Sequence, residues 1–169
     1  MIKKTILFSA VAIAIAGCNN TSQQVNTPII QNQSQFEQYS AETFFDTTSI
    51  MGSSFSQDGK RILVSSDETG IFNLYSIDTN TGLKTQLTES SDTTYPVRYF
   101  PNDERILLTR DQGGNELFHL YVRDENGTIT DLTPGDKVRA RFSGFSDDNK
   151  SFYVSTNERD AKFMDLYRY

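Results

Sequence analysis

The 169-residue chain is 36% hydrophobic, 22% charged and 12% aromatic, with one Cys, one His and no Trp. It can build one modest core, and its aromatic content argues against wholesale disorder. Sixteen basic against 22 acidic side chains leave a formal charge of −6, which excludes nucleic acid as a partner because phosphate neutralisation needs clustered Lys and Arg. One Cys closes no internal disulfide, and one Cys with one His builds no zinc cage.

Met1-Ile2-Lys3-Lys4 opens the chain with positive charge, and Thr5 to Ala16 is almost wholly apolar. Twelve residues are too few to cross the hydrocarbon layer as a helix, which takes about 20. A charged start, a short apolar middle and small residues before a cleavage point make residues 1–17 a secretory signal peptide. Ile15-Ala16-Gly17-Cys18 resembles a bacterial lipobox. The resemblance implies cleavage before Cys18 and acylation of its thiol and new amine, an anchor that several buried acyl chains hold firmly. Asn19 after the Cys implies the outer membrane, facing the periplasm. Removing residues 1–17 takes away Lys3 and Lys4 but no acid, so the mature chain is more acidic still.

From Asn19 to Gln38, 14 of 20 residues are Asn, Gln, Ser or Thr. Such a stretch buries too little apolar surface to offset its ordering entropy, so residues 18–40 read as a flexible tether.

The rest, residues 41–169, is organised by a repeat of about 45 residues. Phe55-Ser56-Gln57-Asp58-Gly59-Lys60 recurs as Phe100-Pro101-Asn102-Asp103-Glu104-Arg105 and as Phe145-Ser146-Asp147-Asp148-Asn149-Lys150. An apolar run follows each: Ile62-Leu63-Val64, Ile106-Leu107-Leu108 and Phe152-Tyr153-Val154. A third segment ends alike in Asn73-Leu74-Tyr75, His119-Leu120-Tyr121 and Asp165-Leu166-Tyr167, and Leu87-Thr88 and Leu132-Thr133 close the first two units. The segments, five to seven residues long, are rich in β-branched and aromatic residues and punctuated by Asp-Gly, Gly-Gly and Asn-Gly, so all read as strands. Asn126-Gly127 marks a tight primed hairpin turn, and Gly59 is expected at positive φ. The third strand is apolar on both faces, as when propeller blades pack against each other, whereas a sandwich would alternate more cleanly. The expected fold is all-β, a partial β-propeller of about 2.7 four-stranded antiparallel blades, at residues 49–93, 94–138 and 139–169. The third unit stops within its third strand and a ring needs roughly four to eight blades, so the sequence reads as truncated.

The Phe-Ser-x-Asp-Gly-Lys turns and Leu-Thr endings resemble the repeats of TolB-like proteins and of prolyl oligopeptidase family serine peptidases. Phe44-Phe45-Asp46, Gly70-Ile71-Phe72-Asn73-Leu74-Tyr75, Asp111-Gln112-Gly113-Gly114-Asn115-Glu116, Leu132-Thr133-Pro134-Gly135 and Asn157-Glu158-Arg159-Asp160 are similar to the N-terminal propeller of the bacterial peptidases. That resemblance implies a propeller guarding a C-terminal α/β-hydrolase domain, whose Ser-His-Asp triad cleaves short peptides. The chain has no Gly-x-Ser-x-Gly elbow and no paired-Glu motif for gripping a substrate amine. It therefore offers no catalytic residue of its own, and its expected partners are the missing hydrolase domain, short peptides and, through Cys18, a membrane. The alternative is a non-enzymatic envelope propeller that binds protein partners.

Three further features are candidates for chemistry. His119 is the only possible general base, but Asn73 and Asp165 occupy its repeat positions, which favours a hydrogen-bonding role at a blade interface. The loops at Asp78 and Asp124 lack the remaining oxygens of a calcium site and read as hairpin turns, so no metal or other cofactor is expected. Asn157-Glu158-Arg159-Asp160 shares one face of the propeller with Asp67–Gly70 and Asp111–Glu116. It reads either as a contact to the hydrolase domain or substrate, with Arg159 as a carboxylate clamp, or as a self-satisfied turn in which Arg159 pairs with Asp160 or a neighbouring blade.

Overall fold

A computed structural model describes residues 38–169, of which Tyr39–Tyr169 form one compact unit. The expected signal peptide, Cys18 and most of the expected tether lie outside the described residues.

The unit opens with α1 (Ala41–Phe45), a single turn capped by the Ser40 hydroxyl, which accepts from the Thr43 amide. The repeat does not announce this turn. Eleven strands follow. The first sheet is β1 (Ile50–Phe55), β2 (Arg61–Ser66), β3 (Asn73–Asp78) and β4 (Lys84–Gln86). The second is β5 (Thr94–Tyr99), β6 (Ile106–Arg110), β7 (His119–Arg123) and β8 (Ile129–Asp131). The third is β9 (Ala140–Phe145), β10 (Phe152–Thr156) and β11 (Asp165–Arg168). Within each sheet, consecutive strands pair antiparallel in chain order.

β4 and β8 have three residues each and β11 has four, shorter than the pattern suggests. Strands at the edge of a sheet are commonly kept short, which blunts stray pairing.

Sheets pack face to face. Leu63 and Leu74 of the first meet Tyr99, Ile106, Leu108 and Tyr121 of the second. The opposite face of the second sheet, through Leu107 and Leu120, packs on Val154, Phe142 and Phe152 of the third. Leu107 and Leu108 are neighbours on β6 that point to opposite faces, and both are fully buried. The second sheet is covered on both sides, as a propeller blade must be. Exposed large apolar side chains confirm the arrangement: Ile50, Phe55 and Leu83 belong to the first unit and Phe163 and Leu166 to the third, with none in the second.

The sequence motifs have direct physical causes. Strand pairing between β3 and β4 runs out at Gln86, and the chain continues with Leu87 donating to the Leu74 carbonyl while the Thr88 hydroxyl accepts the Leu74 amide at 2.9 Å. Leu132 and Thr133 do the same for Leu120, the hydroxyl accepting at 3.0 Å. The Leu-Thr ending thus satisfies buried backbone where the ladder stops.

In the Ser-x-Asp-Gly turn, Ser56 Oγ donates to Asp58 Oδ1 at 2.7 Å, and that oxygen also accepts the Lys60 amide. Ser146, Asp148 and Lys150 repeat the arrangement. These hydrogen bonds, the serine's first, hold the Asp58 and Asp148 carboxyls below their ordinary value.

The second unit departs from the simple 45-residue spacing. Ser56 N donates to Arg61 O and Ser146 N to Ser151 O, but the corresponding closure in the second unit runs from Phe100 N to Arg105 O. Pro101 has no N–H to donate, so the closure slides back one residue. Phe100 therefore takes the place of Ser56 and Ser146, buried under the Arg105 guanidinium at 4.1 Å, and Tyr99 is the true counterpart of Phe55.

Gly59 has φ +70° and Asn149 has φ +56° in the matching turn. A β-branched residue is strained there, so Gly59→Val costs about 1 kcal/mol or more, read as a lowered midpoint in urea. An unchanged midpoint would show that the turn conformation does not matter to stability. At Asn126-Gly127 only Gly127 has positive φ, +91°. Asp124 N donates to Thr128 O and Gly127 N to Asp124 O, so the connection is a three-residue loop with a glycine bulge rather than the primed two-residue turn.

Candidate functional site

Antiparallel pairing in chain order sends the β2–β3, β6–β7 and β10–β11 loops to one end of the sheets, together with the links to the next sheet. At that end Thr94 N donates to Phe72 O and Ala140 N to Phe118 O, each at 2.8–2.9 Å, tying successive blades together. The Phe72, Tyr95 and Phe118 rings run in a row with centroids 5.3 and 5.9 Å apart.

The blades do not pack equally. β1 lies along β5, but β9 leans on β7 rather than on β5. The space left between the first strands of the second and third blades is a cleft of about 720 Å³, within the size range of small-molecule sites. Tyr95, Val97, Phe118, Leu120 and Phe142 give it an apolar lining, and Glu116, Arg139 and Arg141 contribute charge.

Glu116 lies in the loop between β6 and β7, where Gly113 (φ +61°), Gly114 (φ +77°) and Glu116 itself (φ +60°) all take left-handed backbone. A glutamate in that region is strained. Asn115 holds the loop by accepting the Leu117 amide at 2.9 Å, and Asp92 accepts the Gly113 amide at 2.9 Å.

The four residues singled out in the β10–β11 loop have different environments. Asn157 is buried, with Oδ1 accepting the Arg139 amide at 2.8 Å and Nδ2 donating to the Lys137 carbonyl at 3.0 Å. It fixes the entry to β9, as Asp67 fixes the entry to β1 by accepting the Ser49 amide at 2.7 Å. Glu158 and Asp160 are exposed, and Asp160 accepts the Lys162 amide. Arg159 donates to Asp165 in a two-point pair at 2.6 and 3.0 Å. Its partner is therefore on β11 of the same blade, neither Asp160 nor a neighbouring blade, because the return strand brings Asp165 back beside the loop. The hydrogen bond from Arg159 is the main cause holding the Asp165 carboxyl below its ordinary value.

His119 is buried, with Nδ1 at 2.8 Å from Asp131 Oδ2, and it stacks on Tyr121. Its partner is on the adjacent strand of its own blade, and the same ring nitrogen lies 3.4 Å from Gln112 Nε2. The Asp78 carboxylate accepts from the Asn80 and Thr81 amides and the Thr81 hydroxyl, as an Asx turn does. Among the described residues no three His, Cys, Asp or Glu side chains converge on a point.

No family model matches the chain. It is 29% identical over 170 residues to dipeptidyl aminopeptidase BIII of Pseudoxanthomonas mexicana, an alignment taking in 97% of this chain and 24% of that protein. Its structure aligns with TolB from Acinetobacter baumannii at a TM-score of 0.54 and 24% identity, over 72% of this chain and 29% of that one. The fold is a partial β-propeller. It is related to the propeller domains of peptidase families, and the chain spans about a quarter of the length of the curated relative it matches.

Arg139 and Arg141 do not stand out in the sequence. The signal was available only after alignment of the bulged first strands, where they replace Ser49 and Met51 of the first unit.

Proposed function

We propose that this chain is the N-terminal propeller region of a cell-envelope serine peptidase of the prolyl oligopeptidase family, limiting access of short peptides to a C-terminal α/β-hydrolase domain and inactive without it. The observation that carries this reading is the alignment with dipeptidyl aminopeptidase BIII along 97% of this chain. The exposed apolar side chains of the first and third sheets support continuation of the propeller by further polypeptide. The test is labelling of the complete gene product with a serine-reactive fluorophosphonate. A labelled serine outside residues 1–169 is expected, and no labelling of a folded product would overturn the reading. That second result would favour the alternative, a non-enzymatic envelope propeller binding protein partners, for which the structural match to TolB speaks.

The envelope location rests on the leader: Lys3-Lys4, the apolar run to Ala16 and Gly17-Cys18. Acylated Cys18 would anchor the protein to the outer membrane. Cys18→Ala then abolishes membrane association, and a variant that still resists salt and carbonate extraction would contradict the anchor.

A further inference from the structure

The chain has nine arginines. Six are engaged through their side chains: Arg61 with Glu104, Arg105 with Asp103, Arg110 with Thr94, Arg123 with the Leu87 carbonyl, Arg159 with Asp165 and Arg168 with Ser151. The remaining three, Arg98, Arg139 and Arg141, make no side-chain hydrogen bond or ion pair among the described residues. All three lie on or next to the first strands of the second and third blades. In a chain with a six-charge excess of acid, guanidinium groups left without carboxylates are conspicuous, since many acidic side chains are available to pair with them.

Two of the three, Arg139 and Arg141, line the same cleft. They are two residues apart at the start of β9, and the buried Asn157 fixes the backbone of the first. The rest of the lining is mainly apolar or aromatic. The one carboxylate in it, Glu116, also has no partner among the described residues and is held on a strained backbone.

We propose that this cleft binds a short peptide through a carboxylate, with Arg139 and Arg141 as its clamp and the aromatic lining taking the adjoining apolar side chain. The inference rests on the peptidase-propeller reading and gives the propeller a recognition role of its own. The clamp is not Arg159, whose two-point pair with Asp165 already occupies it. A guanidinium presents paired N–H donors that match a carboxylate. Glu116 repels an anion from its own wall and so directs the carboxylate to the arginines. Because both arginines are exposed to solvent, the charge pairing alone is weak, and affinity depends on simultaneous burial of the apolar side chain.

The carboxylate could be the peptide's C-terminus or an acidic side chain. Calorimetric titration of the chain with N-acetyl-Ala-Phe, its C-terminal amide, N-acetyl-Asp-Phe amide and 3-phenylpropionate separates the two. Binding of the free acid, weakened about tenfold or more by amidation and further by added salt, supports a C-terminal clamp. Recovery with N-acetyl-Asp-Phe amide supports the side chain as the source. Arg139→Gln with Arg141→Gln should remove binding at an unchanged melting temperature. If that variant unfolds, Arg139→Lys with Arg141→Lys keeps the charge but not the paired donors, and undiminished binding by a folded lysine variant would overturn the guanidinium clamp. Equal binding of acid and amide overturns the clamp but leaves the peptide reading intact. Binding of 3-phenylpropionate without any peptide overturns the peptide reading and leaves the clamp. Absence of binding by all four compounds overturns the proposal.

Discussion

Leu107→Ala and Leu108→Ala should each lower the unfolding free energy by about 2–5 kcal/mol, the range for deleting a fully buried leucine side chain. The two residues are adjacent on β6, fully buried, and packed into different interfaces: Leu108 with Leu63, Leu74 and Tyr121, and Leu107 with Leu120, Val154 and Phe100. In a sheet with one wet face, one of the two substitutions would be nearly silent. Chemical denaturation followed by tyrosine fluorescence gives both values. Amide exchange should then show Leu108→Ala loosening β3 and Leu107→Ala loosening β10, since each blade contacts only its neighbours. A cost below about 0.5 kcal/mol at either position, the level of an ordinary surface change, would mean that the second sheet is not covered on both sides.

The second large effect is expected at Asn157. Replacing it with alanine strips the Arg139 amide and the Lys137 carbonyl of their partners, at about 1–3 kcal/mol. Glu158→Ala and Asp160→Ala stay within about 0.5 kcal/mol, because their side chains are exposed. Asn157→Ala should also weaken any ligand held by Arg139, since it frees the backbone on which that guanidinium is mounted. Equal stability of all three variants, measured in urea, would remove the distinction between Asn157 and the rest of its loop.

These positions show how far the sequence could be read. The four-strand units, the positive φ at Gly59 and the role of the third strand as a two-faced core element follow from local pattern, because burial on both faces leaves apolar residues in consecutive positions. The Leu-Thr ending is visible as a repeat, although its cause, a threonine hydroxyl taking a strand amide, emerges only from the fold. The slip at Pro101 was hidden because Phe100 keeps the 45-residue spacing while its structural place belongs to a serine. The Asp165 partner of Arg159 and the Asp131 partner of His119 depend on how a strand returns, which spacing alone does not specify. The cleft was least legible. It arises because β9 leans on β7 and away from β5, a packing outcome spread over many side chains, and its two arginines sit in an otherwise ordinary strand.

The most direct test of the whole account is a hydrolysis assay on the purified 169-residue chain beside the complete gene product, using short peptides with free and blocked termini. The account predicts cleavage by the complete product and none by the 169-residue chain, whatever peptides that chain binds. Cleavage by the 169-residue chain itself, blocked by a fluorophosphonate bound within it, would contradict the account.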